Sequence, residues 1–300
     1  MLKIAWSDCY AHPLPKGHRF PMEKYELLPE QLVYEGTVTS SNFFQPGRLG
    51  MEWVLASHRS DYVERLFALE LSKAEIRRTG FPMSKALVDR EIHIMDGSVQ
   101  AAVYALEHGI AMNVAGGTHH AFSDRGEGFC LLNDIAITAN YLLQSKSVSR
   151  VLIVDLDVHQ GNGTAEIFTD VKEVFTFSMH GESNYPMHKE VSDLDVGLPD
   201  GIEDAQYLKR LRKYMLPLID SFQPEFMIYQ SGVDVLKTDK LGRLGLSLQG
   251  CMERDRMVLQ LAKTNHIPIM CCMGGGYSER IRDIVEAHAN TFRLAQEIFF

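Results

Sequence analysis

Cysteine is scarce and unpatterned in this chain: Cys9, Cys130, Cys251, Cys271 and Cys272 make an odd set of five with no Cys-x-x-Cys pair. They read as reduced core thiols rather than a disulfide framework. With no charged-then-apolar leader at the N-terminus, the expected location is cytoplasmic. No apolar run approaches the length of a membrane-spanning helix, so no membrane partner is expected. Long basic runs are also missing, and the formal net charge is -9. That balance argues against direct binding to nucleic acid and would attract a cationic substrate. Internal repeats, low-complexity tracts and linkers are absent too. The hydrophobic share of 45% and an alternation of strand and helix patterns then favour one large α/β domain across residues 1–300.

The most informative stretch is 151–163, Val-Leu-Ile-Val-Asp-Leu-Asp-Val-His-Gln-Gly-Asn-Gly. An apolar β-branched strand runs directly into two carboxylates and an imidazole. Asp155, Asp157 and His159 stand at i, i+2 and i+4, so they share a face if the chain stays extended. The carboxyl end of a buried strand is where open α/β sheets form ligand crevices. Carboxylate oxygen plus imidazole nitrogen suits zinc, iron or a similar divalent ion. An acidic loop with a hydrogen-bonded histidine is the alternative for such a short motif.

Other strand ends repeat the pattern. A strand at 2–6 precedes a stiff loop over 11–21, and helical patterns occupy 22–35, 58–71 and 84–108. His58 and Tyr62, one turn apart, read as ordinary packing. A strand at 110–115 ends in Gly116-Gly117-Thr118-His119-His120, which by itself reads equally as a surface loop or as a pair in which one imidazole accepts a proton and the other donates. Phe129, after a glycine-bounded turn, fits a core position or a pocket wall equally well. Beyond a helix at 132–145 and a short one from Gly163 to Phe168, a strand at 174–179 opens into a long loop over 181–201, a length more often functional than idle. A helix at 203–220, a strand at 226–230 ending near Asp234, a helix at 247–264 and a strand at 268–273 follow. That last strand ends in Gly274-Gly275-Gly276-Tyr277, and a closing helix spans 278–297. Four strand ends that all carry glycine with His, Asp or Tyr predict one site containing a metal, a proton carrier and a phenol.

His119-His120, Asp155-Leu156-Asp157-Val158-His159, Asp234 and Gly274-Gly275-Gly276-Tyr277, in this order, resemble the zinc-dependent histone deacetylase family. Gln160-Gly161-Asn162-Gly163 and the opening His12-Pro13 with Gly17-His18-Arg19-Phe20-Pro21 are similar to its class IV-like and bacterial members. The resemblance implies an arginase/deacetylase-like α/β domain with a central, mostly parallel sheet of about eight strands flanked by helices. It implies zinc, or iron(II), on Asp157, His159 and Asp234. It implies catalytic roles for His119, His120, Tyr277, Asp155 and Asn162, and substrate contacts at Gly128, Phe129, Tyr185 and Gly275. Structural potassium would sit on Asp155, Asp157, His159, Ser178 and Met179, with Phe168 and Val174 marking a second monovalent site. Arg19 would line a product channel. The implied activity is hydrolysis of an N-acylated amine, most simply acetyl-lysine in proteins, with acetylpolyamines and long-chain acyl-lysines as alternatives. An arginase-type ureohydrolase is disfavoured because Asp234 lacks the Asp-x-Asp partner for a second metal. A silent acyl-lysine or metal-binding module is disfavoured by the presence of Tyr277 and His120. Three departures stand out: Asn162 occupies a position where many relatives have aspartate, Tyr185 stands where a channel phenylalanine is common, and no match is found for the acidic rim residue of class I relatives.

Overall fold

The computed structural model describes all residues from 1 to 300. Its sheet contains β1 (Lys3–Ala5), β2 (Phe43–Phe44), β3 (Ile110–Asn113), β4 (Val151–Asp155), β5 (Val174–Gly181), β6 (Leu194–Leu198), β7 (Phe226–Gln230) and β8 (Ile269–Cys272). The helices are α1 (Lys24–Tyr34), α2 (Met51–Leu55), α3 (Ser60–Phe67), α4 (Lys73–Thr79), α5 (Lys85–His108), α6 (Asp134–Gln144), α7 (Asn162–Ile167), α8 (Asp204–Phe222), α9 (Leu248–Thr264) and α10 (Ile281–Phe299). The eight strands lie in the order β2-β1-β3-β8-β7-β4-β5-β6. Every neighbouring pair is parallel, where the sequence led us to expect a mostly parallel sheet.

Parallel sheets need cover on both faces, which is why the central strands β3, β4, β7 and β8 are buried along their whole length. Along β4, Leu152 and Val154 join a core of 65 buried residues that also takes in α1, α8, α9 and α10. Val151 and Ile153 point the other way, into a cluster of 17 that includes α6 and the end of α5. Register then aligns the carboxyl ends: Asp155 pairs with Gln230 on one side and Ser178 on the other, while Cys272 pairs with both Gln230 and Asn113. Whatever follows these residues is delivered to one edge.

Two expectations from sequence need correction. The helical pattern at 58–71 is cut short because Leu69 takes φ 61, and a capping box of Ser72 and Glu75 starts α4 instead. The supposed loop at 181–201 contains β6, whose side chains alternate between exposed and buried because it is an edge strand paired only with β5.

Candidate active site

At the sheet's carboxyl edge, Asp157, His159 and Asp234 each offer a ligand atom, and these atoms lie within 4.8 Å of one another. His159 Nδ1 is 3.0 Å from Asp157 Oδ1 and 3.1 Å from Asp234 Oδ2. Such separations suit three donors around one ion bound at about 2 Å. The carboxylates are held from behind: Asp157 accepts the backbone N–H of His159 at 3.0 Å and of Gly275 at 2.8 Å, and Asp234 accepts that of Val158 at 2.9 Å. All three residues are buried. Buried carboxylates this close need a cation, and in the protein alone a proton serves. Burial and the neighbouring Asp157 push Asp234 up to about 7. Burial opposes charge on His159, yet its bonds to Asp157 and Asp234 raise it to about 10. A divalent ion would displace that proton, and the donor set fits zinc or iron(II).

Glycine makes the convergence possible. A Cβ on Gly275 would stand 2.0 Å from Asp234 Oδ2, and one on Gly128, at φ +55, would stand 2.7 Å from His120 Cδ2. Only a bare backbone allows either approach.

His119 and His120 sit beside the cluster with ring centroids 4.1 Å apart. His119 Nδ1 lies 2.6 Å from Asp155 Oδ2, and His120 Nδ1 lies 2.7 Å from Asn162 Oδ1. For His119, burial is outweighed by Asp155 and Asp157, so its pKa is raised. For His120, burial and the charges of His119 and His159 lower it well below the ordinary value. The Asn162 carbonyl requires the proton on Nδ1 and leaves Nε2 as an acceptor. Two neighbouring imidazoles are thus pushed in opposite directions, the division that an acid and a base require.

Tyr277 lines the same narrow cavity as His119, His120, Asp157, His159, Gly128, Phe129 and Gly275, a space of about 40 Å³. Asp239 accepts its backbone N–H at 2.6 Å. Burial and the nearby Asp234 and Asp157 push its phenol well above 10.0. Phe129 is ringed by Phe20, Phe81 and Tyr277 at 5.3, 5.3 and 5.9 Å, so it is both core and wall. Tyr185 stands with its ring 5.1 Å from that of His120, and its hydroxyl donates to Glu127. A carboxylate therefore does reach the rim, from a turn where the sequence suggested none. Ser178 is buried one strand from Asp155, with its Oγ 2.9 Å from His180 Nδ1. The remaining cation-site candidates occupy backbone positions: Met179 on β5, Phe168 at the end of α7 and Val174 at the start of β5.

Arg19 does not line the interior. It is exposed, with its guanidinium 5.1 Å above the Phe129 ring, because the stiff loop before α1 turns it outward. The cation that lines the cavity is Arg90 of α5. Sequence reasoning also passed over Lys24, Asp239 and the scaffold under the histidines. His58 Nδ1–H donates to the Phe122 carbonyl at 2.9 Å, while its Nε2 accepts the Asn133 N–H at 2.9 Å. Asn133 in turn caps α6 and donates to the Ala121 carbonyl at 3.0 Å. An (i, i+4) His–Tyr pair gave no hint of this role.

A family model described as the histone deacetylase domain matches residues 18–292. An uncharacterized protein of Picosynechococcus sp. is 42% identical over 296 residues, 99% of each chain. Histone deacetylase 2 of Arabidopsis thaliana is 30% identical over 274 residues, spanning 88% of this chain and 70% of that one. Histone deacetylase clr6 of Schizosaccharomyces pombe is 32% identical over 292 residues, or 90% and 69% of the two chains. Among solved structures, the HDA15 HD domain superposes with a TM-score of 0.80 at 20% identity, covering 96% of this chain and 89% of that one. That likeness speaks for the fold.

Proposed function

This chain belongs to the histone deacetylase family, and on that premise we propose that it is a zinc-dependent amidohydrolase that removes acetyl groups from lysine side chains of proteins. The observation that carries the reading is the buried Asp157, His159 and Asp234 cluster, of which Asp157 and His159 line a cavity shared with His119, His120 and Tyr277. Zinc, when bound, supplies a Lewis acid that polarises the acyl carbonyl.

The rest is the work of the chain. His120 Nε2, free to accept, takes a proton from water and later returns it to the leaving amine. Its Nδ1–H stays on Asn162, which fixes the ring. His119, bonded to Asp155, remains cationic and favours negative charge developing nearby. Tyr277 donates its phenolic hydrogen to the oxyanion, a contribution of about 3 kcal/mol where water is excluded. Phe129 and Tyr185 flank the substrate methylenes, Gly275 closes one wall, and the Gly128 carbonyl accepts the amide N–H. Potassium on Asp155, Asp157, His159, Ser178 and Met179 would brace the floor, with a second monovalent ion near Phe168 and Val174.

A cytoplasmic location is part of this proposal; no helix is long and apolar enough to cross a membrane. Acetylpolyamines and long-chain acyl-lysines remain the competing substrates. Zinc-loaded enzyme assayed on acetyl-lysine peptides, acetylpolyamines and long-acyl peptides should prefer the first by kcat/KM; a preference for either of the others would reassign the substrate, and turnover of none would remove the activity.

A further inference from the structure

Lys24, the first residue of α1, is 0% exposed. Its ammonium lies 5.4 Å from the ring centres of both Phe20 and Tyr25, and it donates to a single backbone acceptor, the Gly274 carbonyl, at 3.0 Å. No carboxylate is within ion-pair reach. Burying a lone ammonium is costly, and a methionine would fill the same aromatic cage without that cost. The compensation lies across one peptide group. The carbonyl that Lys24 binds belongs to the peptide whose N–H, on Gly275, donates to Asp157 Oδ2 at 2.8 Å. Cation, amide dipole and carboxylate are therefore aligned head to tail, an arrangement in which each hydrogen bond strengthens the next.

We propose that Lys24 is a positioning residue that acts on Asp157 through the Gly274–Gly275 peptide group, drawing electron density from the carboxylate so that a divalent ion held there is bound less tightly and stays electron-poor. The inference rests on the reading of Asp157 as a metal ligand. It has a sign that simple structural support lacks. If Lys24 only braced the Gly274–Tyr277 turn, its removal would weaken metal binding. If it withdraws charge, its removal tightens binding and slows turnover together. The charge of Lys24 acts in the same direction, since it repels a neighbouring cation directly.

The test uses the full chain carrying Lys24→Met and, separately, Lys24→Gln, which keeps a donor for Gly274 but no charge. Affinity for zinc is measured by chelator competition, the cobalt(II) visible spectrum reports the ligand field, and kcat and KM are measured on an acetyl-lysine peptide. Either folded variant should bind zinc about tenfold more tightly, show shifted cobalt bands, and lose about tenfold in kcat with KM little changed. Unchanged or weaker zinc binding in the folded variants would overturn the relay alone, provided the parent binds one ion and Asp157→Asn loses it. A parent chain that binds no divalent ion would overturn the metal reading and the relay with it.

Discussion

Below His120 the site is built from strand ends and glycines, whereas above it the site is built from one long loop and a turn. The lower part is over-determined. Asp157 alone is held by backbone donors from His159 and Gly275, and the close approach of Gly275 to Asp234 leaves no room for a side chain. The upper part is held mainly by side chains: Tyr185 on Glu127, the Gln160 amide on both backbone groups of Glu190, Asn184 on the Leu241 carbonyl, and Lys189 on carbonyls of its own loop. Met187 and Val191 are 78% and 83% exposed there. Loops carried on a rigid scaffold are where selectivity resides. Substitutions below should therefore change chemistry or stability, and substitutions above should change which substrate binds.

The sharpest test of the lower half is Tyr277→Phe. Only a hydroxyl is lost, so folding and metal content should persist while kcat falls by about 10²–10³. Steady-state kinetics with metal analysis on the same sample checks it, and near-normal turnover would remove Tyr277 from the chemistry.

His58 tests whether the histidine turn depends on its scaffold. Both its ring nitrogens are committed to a neutral tautomer, and burial lowers its pKa to about 4 against hydrogen bonds from the 122–123 backbone that raise it. The unfolded chain, with an ordinary value near 6.5, binds the proton first. Stability contributed by neutral His58 is thus complete above about 6.5 and is lost as pH falls toward 4, up to about 3 kcal/mol. Urea unfolding at several pH values should show a shallower acid loss in His58→Gln; identical slopes in the two proteins would contradict the assignment.

Asn162→Asp is a smaller change in the same half. A carboxylate on Nδ1 would raise the depressed pKa of His120, moving the acid limb of the kcat/KM profile about one to two units upward. Because the base must be neutral to accept a proton, the cost at pH 7 should stay below about tenfold. A limb that does not move would mean that another group sets it.

The two halves were also unequally legible. Asp155, Asp157, His159, His119, His120, Asp234 and Tyr277 announce themselves because each follows an apolar strand, and strand periodicity fixes the face. Their supports do not. Lys24 reads as a solvent-facing lysine in the first turn of a helix, since nothing local shows that α1 packs its start under the Gly274 turn. Asp239 binds Tyr277 from a turn 38 residues away. Arg19 was assigned inward by resemblance, but the proline-rich loop carries it out over Phe129. Glu127 and β6 were missed because an acid in a glycine turn and an alternating edge strand both look like ordinary surface. Contacts distant in sequence leave no local pattern to read.

The smallest effect should come from the upper half, and Lys189 is the place to find it. Its ammonium donates to the carbonyls of Glu182, Asn184 and Pro186 at 3.2, 2.7 and 2.5 Å, gathering the loop that presents Tyr185. Lys189→Met releases three backbone acceptors into a loop that water can reach, so the fold should survive while Tyr185 loses its fixed place beside His120. The metal cluster and Tyr277 share no contact with Lys189. KM for an acetyl-lysine peptide should rise about three- to tenfold with kcat nearly unchanged, the pattern of lost uniform binding. Lys189→Arg, which keeps several donors on one side chain, should recover part of the difference. A fall in kcat at constant KM would show instead that the rim reaches into the chemistry, and the division between the two halves would have to be redrawn.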